Sequence, residues 1–103
     1  MKILTIETTG PIASVALLEE EITEIQGEKG YNHLTSLIPM TQQLLEQRGL
    51  TLGELTAIGV SVGPGSFTGI RIGVSTARAL GQVAGLPLIA IPTLETFRFH
   101  GEE

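Results

Sequence analysis

The residues whose types and spacing could support chemistry lie in a glycine-rich segment at residues 61–74. A short apolar stretch precedes this segment, which predicts a buried strand. The end of the segment continues into fifteen residues without a proline at 70–84, which predicts a helix. Gly63 and Gly65 allow backbone angles that a side chain forbids, and Thr68 is the predicted N-cap of the helix. A strand-to-helix turn of this kind presents backbone N–H groups that can bind an anion such as phosphate.

The spacing within this segment does not match the common nucleotide-binding loops. The Rossmann pattern G-x-G-x-x-G fails because the third glycine, Gly69, comes one residue late, and no acidic residue follows about twenty positions further on. The segment also lacks the Gly-Lys-Ser/Thr ending of a Walker loop. Two interpretations stay open: the turn binds phosphate, or its glycines serve the close packing of strand, turn and helix.

Composition limits the functions that the chain can have. With 103 residues it is expected to form one domain, and without cysteine it can form neither a disulfide nor a zinc–thiolate site. All eleven acidic residues are glutamate, and Glu7 is the only carboxylate at a predicted strand end. The net charge of −5, with six Lys and Arg spread singly, predicts that the chain alone does not bind nucleic acid. No apolar run is long enough for a membrane span and the N-terminus has no signal-peptide pattern, so a cytoplasmic location is expected.

The predicted elements follow the order β-β-β-α-β-α-β. The strands are predicted at residues 2–8, 12–18, 21–26, 56–60 and 87–91, and the helices at residues 32–48 and 69–84. Thr51 and Glu54 have the spacing of a capping box, which predicts a short helical turn before the fourth strand. The first three strands form an antiparallel meander, and right-handed crossovers place the last two strands parallel to the first. The sequence thus predicts an α/β fold with a five-stranded mixed sheet and helices packed on it.

The second predicted helix is too apolar for an ordinary surface helix. Its polar residues form one narrow stripe, which consists of Arg71, Ser75, Arg78 and Gln82. Small residues recur at every fourth position and form a ridge that another helix could approach closely, at Gly69, Gly73, Ala77 and Gly81. One side of the helix can pack on the sheet, and another side needs a second cover. That cover is either a neighbouring helix of the same chain or a partner protein, and the residues favour neither.

Several segments together resemble the TsaB (YeaZ) family. They are ILTIETT at 3–9, ASVAL at 13–17, His33 with LIPM at 37–40, GPGSFTGIRIGV at 63–74, and PLIAI at 87–91 followed by Leu94 and Glu95. The resemblance covers nearly the whole chain, and the glycine-rich run is highly specific. It implies the actin/hexokinase-like ATPase fold, which consists of two RNase-H-like halves. Residues 1–103 would form the N-terminal subdomain, and the C-terminal subdomain is absent from this sequence.

The resemblance also implies a function in tRNA modification. The family is a non-catalytic partner and activator of TsaD, the threonylcarbamoyl transferase that makes threonylcarbamoyladenosine (t6A) next to the anticodon. TsaD-like proteins carry two metal-binding histidines after the last strand of this half, and the corresponding positions here are Thr93 and Phe97, which cannot replace an imidazole. The resemblance therefore implies no catalytic residue, no metal and no cofactor. The alternative is an ATPase or a glycoprotease-like enzyme of the same superfamily.

The end of the first strand departs from the family pattern. The family commonly has Asp-Thr-Ser there, and in actin-like ATPases that aspartate handles the metal–nucleotide, whereas this chain has Glu7-Thr8-Thr9. The change weighs against ATP chemistry. The candidate nucleotide-binding residues are Glu7, Thr8, Thr9, Gly63, Gly65 and Ser66.

The predicted partner is a TsaD-like protein, or a second copy of this chain in isolation, and tRNA is bound only through the complex. The two predicted helices are expected to form a four-helix bundle with two equivalent helices of the partner, the Gly73/Ala77 part of the ridge allowing close approach. The predicted interface residues are Leu37, Met40, Thr41, Leu44, Gly69, Ile70, Gly73, Val74, Ala77 and Gly81.

Overall fold

The computed structural model describes residues 1–27 and 33–92 of the chain. The strands are β1 (Ile3–Glu7), β2 (Ser14–Leu18), β3 (Ile22–Gln26), β4 (Ala57–Ser61) and β5 (Leu88–Ile91), and the helices are α1 (His33–Arg48) and α2 (Phe67–Ala84). A 3₁₀ turn at Leu52–Glu54 precedes β4. The order and type of these elements are those predicted from the sequence, and only their ends differ. The helix predicted to begin after residue 92 lies outside the described residues.

The five strands form one mixed sheet in the order β3-β2-β1-β4-β5. β1 pairs antiparallel with β2, and β2 pairs antiparallel with β3, as expected for strands joined by short turns. β4 lies parallel to β1 with Ile6 opposite Val60, and β5 lies parallel to β4. The predicted arrangement, with the last two strands parallel to the first, is therefore confirmed.

Both helices pack on one face of the sheet. α1 contacts β2 and β3, α2 contacts β4 and β1, and the two helices contact each other. The strand residues beneath them are fully or almost fully buried aliphatic side chains, namely Leu4, Ile6, Val15, Leu17, Ile58 and Val60. Burial of each such side chain contributes about 1.5–3 kcal/mol, so this layer is the main source of stability.

The opposite face of the sheet carries small and polar side chains at its centre. Thr5, Glu7, Ser14 and Ser61 alternate with the aliphatic positions, and each of them is also buried. A polar side chain in such a position normally has a hydrogen-bond partner, because an unpaired buried polar group costs about 1–3 kcal/mol. A buried polar group on this face that has no partner within the chain is therefore a candidate for binding a ligand.

The start of α2 differs from the prediction. The helix begins at Phe67, and its N-cap is Ser66, whose hydroxyl accepts a hydrogen bond from the Gly69 N–H at 3.1 Å. The predicted cap, Thr68, lies inside the first turn instead. The physical reason is that Ser66 already has the extended backbone of a cap residue (φ −62°, ψ 122°), and its side chain reaches the N–H of Gly69, the third residue of the helix.

The other helix ends agree with the sequence. α1 stops at Arg48, and the next residue, Gly49, has a φ of 66°, a left-handed angle that glycine adopts without a steric penalty. In the predicted capping box, the Thr51 N–H donates to Glu54 Oε1 at 2.8 Å. These short polar motifs are local, which explains why the residue order alone predicts them.

Candidate functional site

The glycine-rich turn lies directly on the end of β1. The Ser66 N–H donates to the Thr9 carbonyl at 2.7 Å, and the Thr8 hydroxyl donates to the Gly69 carbonyl. The loop after β4 and the first turn of α2 are thus tied to the loop after β1. Since β1 and β4 are parallel neighbours, both loops leave from the same edge of the sheet. This edge is where parallel α/β sheets generally bind ligands.

Three glycines allow this close contact. A Cβ atom added at Gly65 would lie 2.6 Å from the Thr9 carbonyl oxygen, and one added at Gly69 would lie 1.9 Å from the Thr8 carbonyl oxygen. A Cβ at Gly73 would lie 2.4 Å from the Thr8 hydroxyl. A side chain at Gly65 or Gly69 would fit only if the loop after β1 moved, and one at Gly73 only if the Thr8 side chain moved. The spacing of the glycines therefore follows from packing of α2 against the end of β1.

Three N–H groups of the turn, those of Ser66, Gly69 and Ile70, donate to acceptors within the chain. The Gly69 N–H donates to the Ser66 hydroxyl, and the Ile70 N–H donates to the Ser66 carbonyl at 2.9 Å. Together with the bond from the Ser66 N–H to Thr9, these contacts use backbone N–H groups that could otherwise donate hydrogen bonds to a phosphate. The geometry favours the packing interpretation of the loop over the phosphate interpretation.

Glu7 is the buried carboxylate of this edge, with 6% of its surface exposed. Its Oε2 atom accepts hydrogen bonds from the Thr9 N–H at 2.8 Å and from the Thr9 hydroxyl. In the described part of the chain, its Oε1 atom has no hydrogen-bond partner, and neither has the hydroxyl of Ser61, another buried residue on the same face. Within residues 1–27 and 33–92, no lysine or arginine pairs with this carboxylate. One oxygen of Glu7 thus orders its own loop, and the other is left without a partner.

A cavity of about 180 Å³ lies beside Glu7. Its lining consists of Glu7, Thr9, Gly10, Pro11, Ile12, Ser14 and Gln26. Among the described residues, the lining contains hydroxyl and amide groups together with one carboxylate, and no cation that could neutralise a phosphate. In the described parts of the chain, no group of three His, Cys, Asp or Glu residues could hold a metal ion.

The structure brings most of the nucleotide-binding candidates together. Glu7, Thr8 and Thr9 at the end of β1 meet Ser66 through Thr9, and Gly65 lies against Thr9. Gly63 has a φ of 114° and turns the chain out of β4 toward the loop. Nucleotide binding by these residues stays a prediction. Thr93 and Phe97, which correspond to the metal-binding pair of TsaD-like proteins, lie outside the described residues.

The predicted partner interface is largely buried within the chain itself. Leu37, Met40, Thr41 and Leu44 lie on the inner side of α1, and none of them is more than 7% exposed. The ridge residues Gly69, Gly73, Ala77 and Gly81 are also buried, and only Ile70 and Val74 are partly exposed.

The ridge of α2 faces its own sheet. Atoms added at Gly73 would meet the Thr8 hydroxyl and the side chains of Val60 and Ile6, which belong to β4 and β1. The prediction that the Gly73/Ala77 ridge admits a partner helix is therefore wrong. Four small residues along one line let α2 approach the sheet closely, and they leave the other side of the helix for solvent or for a partner.

The outer side of α2 carries the predicted polar stripe, and all four stripe residues are exposed. Phe67, at the start of the helix, is 73% exposed, and Val83, near its end, is 83% exposed. The Arg71 guanidinium lies over the Phe67 ring, 5.7 Å from its centroid. On α1, Ile38 is 42% exposed. These outer residues, apart from the polar stripe, are not among those that the sequence predicts for the interface.

Comparisons with known proteins identify the same family that the sequence motifs predict. A family model described as "TsaD: tRNA N6-adenosine threonylcarbamoyltransferase" matches residues 17–102. TsaB of Escherichia coli, named a tRNA threonylcarbamoyladenosine biosynthesis protein, is 38% identical over 97 residues, which cover 93% of this chain and 42% of that protein. TsaB of Bacillus subtilis is 36% identical over 103 residues, which cover 98% of this chain and 45% of that protein.

The fold comparison agrees with the sequence comparison. The solved structure of YeaZ from Pseudomonas aeruginosa superposes with a TM-score of 0.82 at 32% identity, over 87% of this chain and 43% of that one. The chain thus spans less than half the length of each of these relatives. The five-stranded mixed sheet has the actin-like ATPase type of fold, as predicted. By its sheet order, its glycine-rich turn and these matches, the chain belongs to the TsaB (YeaZ) family.

Proposed function

We propose that this chain is a non-catalytic partner of a TsaD-type threonylcarbamoyl transferase and acts in the formation of t6A on tRNA. The names of the TsaB relatives and the match to the TsaD family model support a role in this modification. In this proposal tRNA is bound by the assembled complex. The assignment of residues 1–103 to the N-terminal subdomain of an actin-like protein, the self-association of the chain in isolation and the cytoplasmic location stay predictions. No helix in the described part is long and apolar enough to cross a membrane.

The observation that carries this proposal is the exposed outer side of the two helices. Phe67 and Val83 on α2 and Ile38 on α1 are large apolar side chains left in contact with solvent. Aromatic residues and arginine are enriched in protein interfaces, and both occur here on one helix. In our proposal α1 and α2 pair with two helices of the TsaD-type protein through these outer faces, while the small-residue ridge stays against the sheet.

The test is direct binding between the purified chain and a TsaD protein, measured by sedimentation velocity. We expect a 1:1 complex, and we expect the amount of t6A in tRNA incubated with TsaD to rise when the chain is added. Ile38→Asp should weaken the complex tenfold or more, because burying an unpaired charge in an interface costs well over the roughly 1.4 kcal/mol that a factor of ten requires.

A matched control comes from the face of the sheet opposite the two helices, where Ile22 of β3 pairs with Leu18. Ile22 is 60% exposed, against 42% for Ile38, so Ile22→Asp makes the same chemical change at an apolar residue that is at least as accessible and should leave binding unchanged. If the unmodified chain forms no complex and has no effect on t6A formation, the proposal is wrong. If both variants bind like the unmodified chain, α1 is not part of the interface.

An enzyme of the same superfamily, an ATPase or a glycoprotease-like protein, is the second candidate. The observation that favours it is the partnerless Oε1 of Glu7 beside a cavity at the ligand-binding edge of the sheet. Against it, the other Glu7 oxygen is bonded to Thr9 within the chain. ATP hydrolysis measured with and without divalent cations separates the two functions, since turnover that needs the metal and disappears in Glu7→Ala would favour the enzyme.

A further inference from the structure

A row of three polar side chains crosses the sheet on the face opposite the two helices. Glu7 of β1 lies directly opposite Ser14 of β2, and Ser14 lies directly opposite Gln26, the last residue of β3. Residues that face each other across antiparallel strands have Cβ atoms about 4.5–5.5 Å apart, so the row is about 10 Å long. We call these three residues the polar row, and all of them line the cavity beside Glu7.

Glu7 gives this cavity a negative charge that the described residues do not neutralise. Its Oε2 atom already accepts two hydrogen bonds from Thr9, whereas its Oε1 atom has no partner in residues 1–27 and 33–92. Removing a carboxylate from water is costly unless a cation and hydrogen-bond donors compensate for it. A ligand that brings both a positive charge and an N–H group to Oε1 would therefore be stabilised here.

The acceptors of the polar row favour one kind of cation. A hard metal ion such as Mg²⁺ or Ca²⁺ takes about six or more oxygen ligands, and the described residues hold no group of three His, Cys, Asp or Glu side chains that could bind it. A guanidinium binds a carboxylate best through both oxygens at once, and Oε2 of Glu7 is already occupied by Thr9. A primary ammonium group donates three separate hydrogen bonds from one point, so it needs only Oε1 of this carboxylate.

We propose that the cavity binds a primary ammonium group, which donates to Glu7 Oε1, to the Ser14 hydroxyl and to the Gln26 amide oxygen. Oε1 is enclosed in the unliganded chain, and the terminal torsion of a glutamate is soft, so a small rotation of the carboxyl group turns this oxygen into the cavity. Pro11 and Ile12 line the same cavity and provide an apolar surface for a short alkyl chain. This inference goes beyond the proposed function and does not depend on it.

The size of the cavity limits the ligand to a small amine or to the end of a lysine side chain. A volume of about 180 Å³ holds roughly six non-hydrogen atoms, if each takes the 30 Å³ or so of a water molecule. A free amine of this size enters as a whole molecule. A lysine of another protein would insert its ammonium group and leave its backbone at the entrance.

The test is a titration of the full chain with n-propylammonium chloride, followed by the amide signals in ¹H–¹⁵N NMR spectra. Sodium chloride at the same ionic strength is the reference. We expect saturable shifts at Gly10, Ser14 and Gln26, which line the cavity. Tetramethylammonium has the same charge and no N–H group, so it should not produce these shifts.

Two variants test the acceptors of the polar row. Glu7→Gln keeps the shape of the side chain and an oxygen for Thr9 but removes the charge, so it should weaken binding of n-propylammonium tenfold or more. Ser14→Ala removes one acceptor and should weaken binding severalfold. Glu20→Gln makes the same change as Glu7→Gln at an exposed glutamate outside this cavity and should leave binding unchanged. Circular dichroism establishes that each variant is folded.

A second titration, with Nα-acetyl-lysine methylamide, distinguishes the two sources of the ammonium group. Binding at least as tight as that of n-propylammonium identifies the site as one for a protein lysine, and weaker binding identifies it as one for a free amine. Either result supports an ammonium site.

Three outcomes would overturn the inference. They are the absence of saturable shifts with both amines, equal shifts with tetramethylammonium, and unchanged binding in folded Glu7→Gln. If Glu7→Gln does not fold, unchanged binding in Ser14→Ala overturns it instead. None of these titrations contains TsaD, so a chain that binds the amine and fails to bind TsaD would keep this inference and lose the proposed function.

Discussion

Gly69 shows how one residue can decide the packing of a whole helix. It lies where the first turn of α2 crosses the end of β1, and the space that a Cβ atom would occupy is already filled by the Thr8 carbonyl oxygen. That oxygen belongs to the backbone of the residue directly after β1, so it cannot move aside as the end of a flexible side chain would. Gly65 lies in the same way against Thr9, whereas Gly73 lies against the side chain of Thr8.

We predict that Gly69→Ala destabilises the fold by about 1–3 kcal/mol or more, since overpacking against a fixed backbone atom outweighs the gain of about 1 kcal/mol in helix propensity. The measurement is the midpoint of urea unfolding. Gly53→Ala is the matched control, because nothing lies within 4 Å of a Cβ atom there, and it should change stability by less than about 0.5 kcal/mol. Equal midpoints for the two variants would contradict the close contact.

The elements of this fold are held at their ends by short polar motifs. Ser66 caps α2, and Thr51 and Glu54 close the turn before β4. Each motif satisfies backbone groups that a helix end would leave unpaired. Such contacts contribute little individually, but they determine where each helix begins, and so which residues face the sheet.

We predict that Ser66→Ala lowers the stability by about 0.5–2 kcal/mol, because the Gly69 N–H loses its acceptor. Thr68→Ala is the control at the position that sequence reasoning selected as the cap, and it should have an effect smaller than about 0.5 kcal/mol. Thermal unfolding of the two variants shows whether Ser66 or Thr68 is the N-cap of α2. A larger loss for Thr68→Ala would place the cap at that residue.

The second prediction at this scale concerns pH. The hydrogen bonds from the Thr51 N–H and hydroxyl hold the pKa of Glu54 below its ordinary value. A carboxyl whose pKa is lowered by folding stabilises the protein above its unfolded pKa, and this contribution is lost as the pH falls through its folded pKa. Glu54→Gln should therefore be slightly less stable than the unmodified chain at about pH 7, and the difference should shrink as the pH falls through the lowered pKa of Glu54 and vanish once its carboxyl is protonated.

Thermal unfolding from neutral to acidic pH measures this difference. Glu20→Gln makes the same change at an exposed glutamate outside the capping box and serves as the control. A difference between the unmodified chain and Glu54→Gln that stays constant over the whole pH range would show that the carboxylate does not take part in the cap.

At the scale of the whole molecule, the distribution of charge favours binding to a protein over binding to a nucleic acid. The net charge of −5 repels a phosphate backbone, and the exposed positive charge of α2 is limited to two arginines. The chain thus carries a small basic patch on a surface that is acidic elsewhere. This arrangement is suited to a subunit that reaches tRNA only through a partner.

We predict that the chain alone shows no salt-dependent binding to tRNA. Fluorescence anisotropy with labelled tRNA, measured between about 50 and 200 mM salt, tests this, since a protein that makes six to ten phosphate contacts loses about 10³–10⁵ in affinity over that range. The complex with TsaD is the positive control. Tight binding by the chain alone that weakens steeply with salt would contradict the division of roles proposed here.

The sequence by itself determined the features that depend on neighbouring residues. Apolar stretches and turn residues predicted the strands, the spacing of Thr51 and Glu54 predicted the capping box, and the lengths of the connections predicted the order of the sheet. The glycine-rich run and its neighbouring segments were specific enough to predict the family. All of these are local signals, because hydrogen bonds and backbone angles within a few residues produce them.

Only the tertiary structure decided which way α2 faces and what Glu7 contacts. The periodicity of α2 shows that Gly69, Gly73 and Ala77 share one side, but a periodic pattern contains no information about what that side meets. The crossing of α2 over β1 and β4 places the ridge against Thr8 and Val60 and leaves Arg71 and Arg78 outside. These contacts join residues far apart in the chain, so their geometry exists only once the sheet has formed.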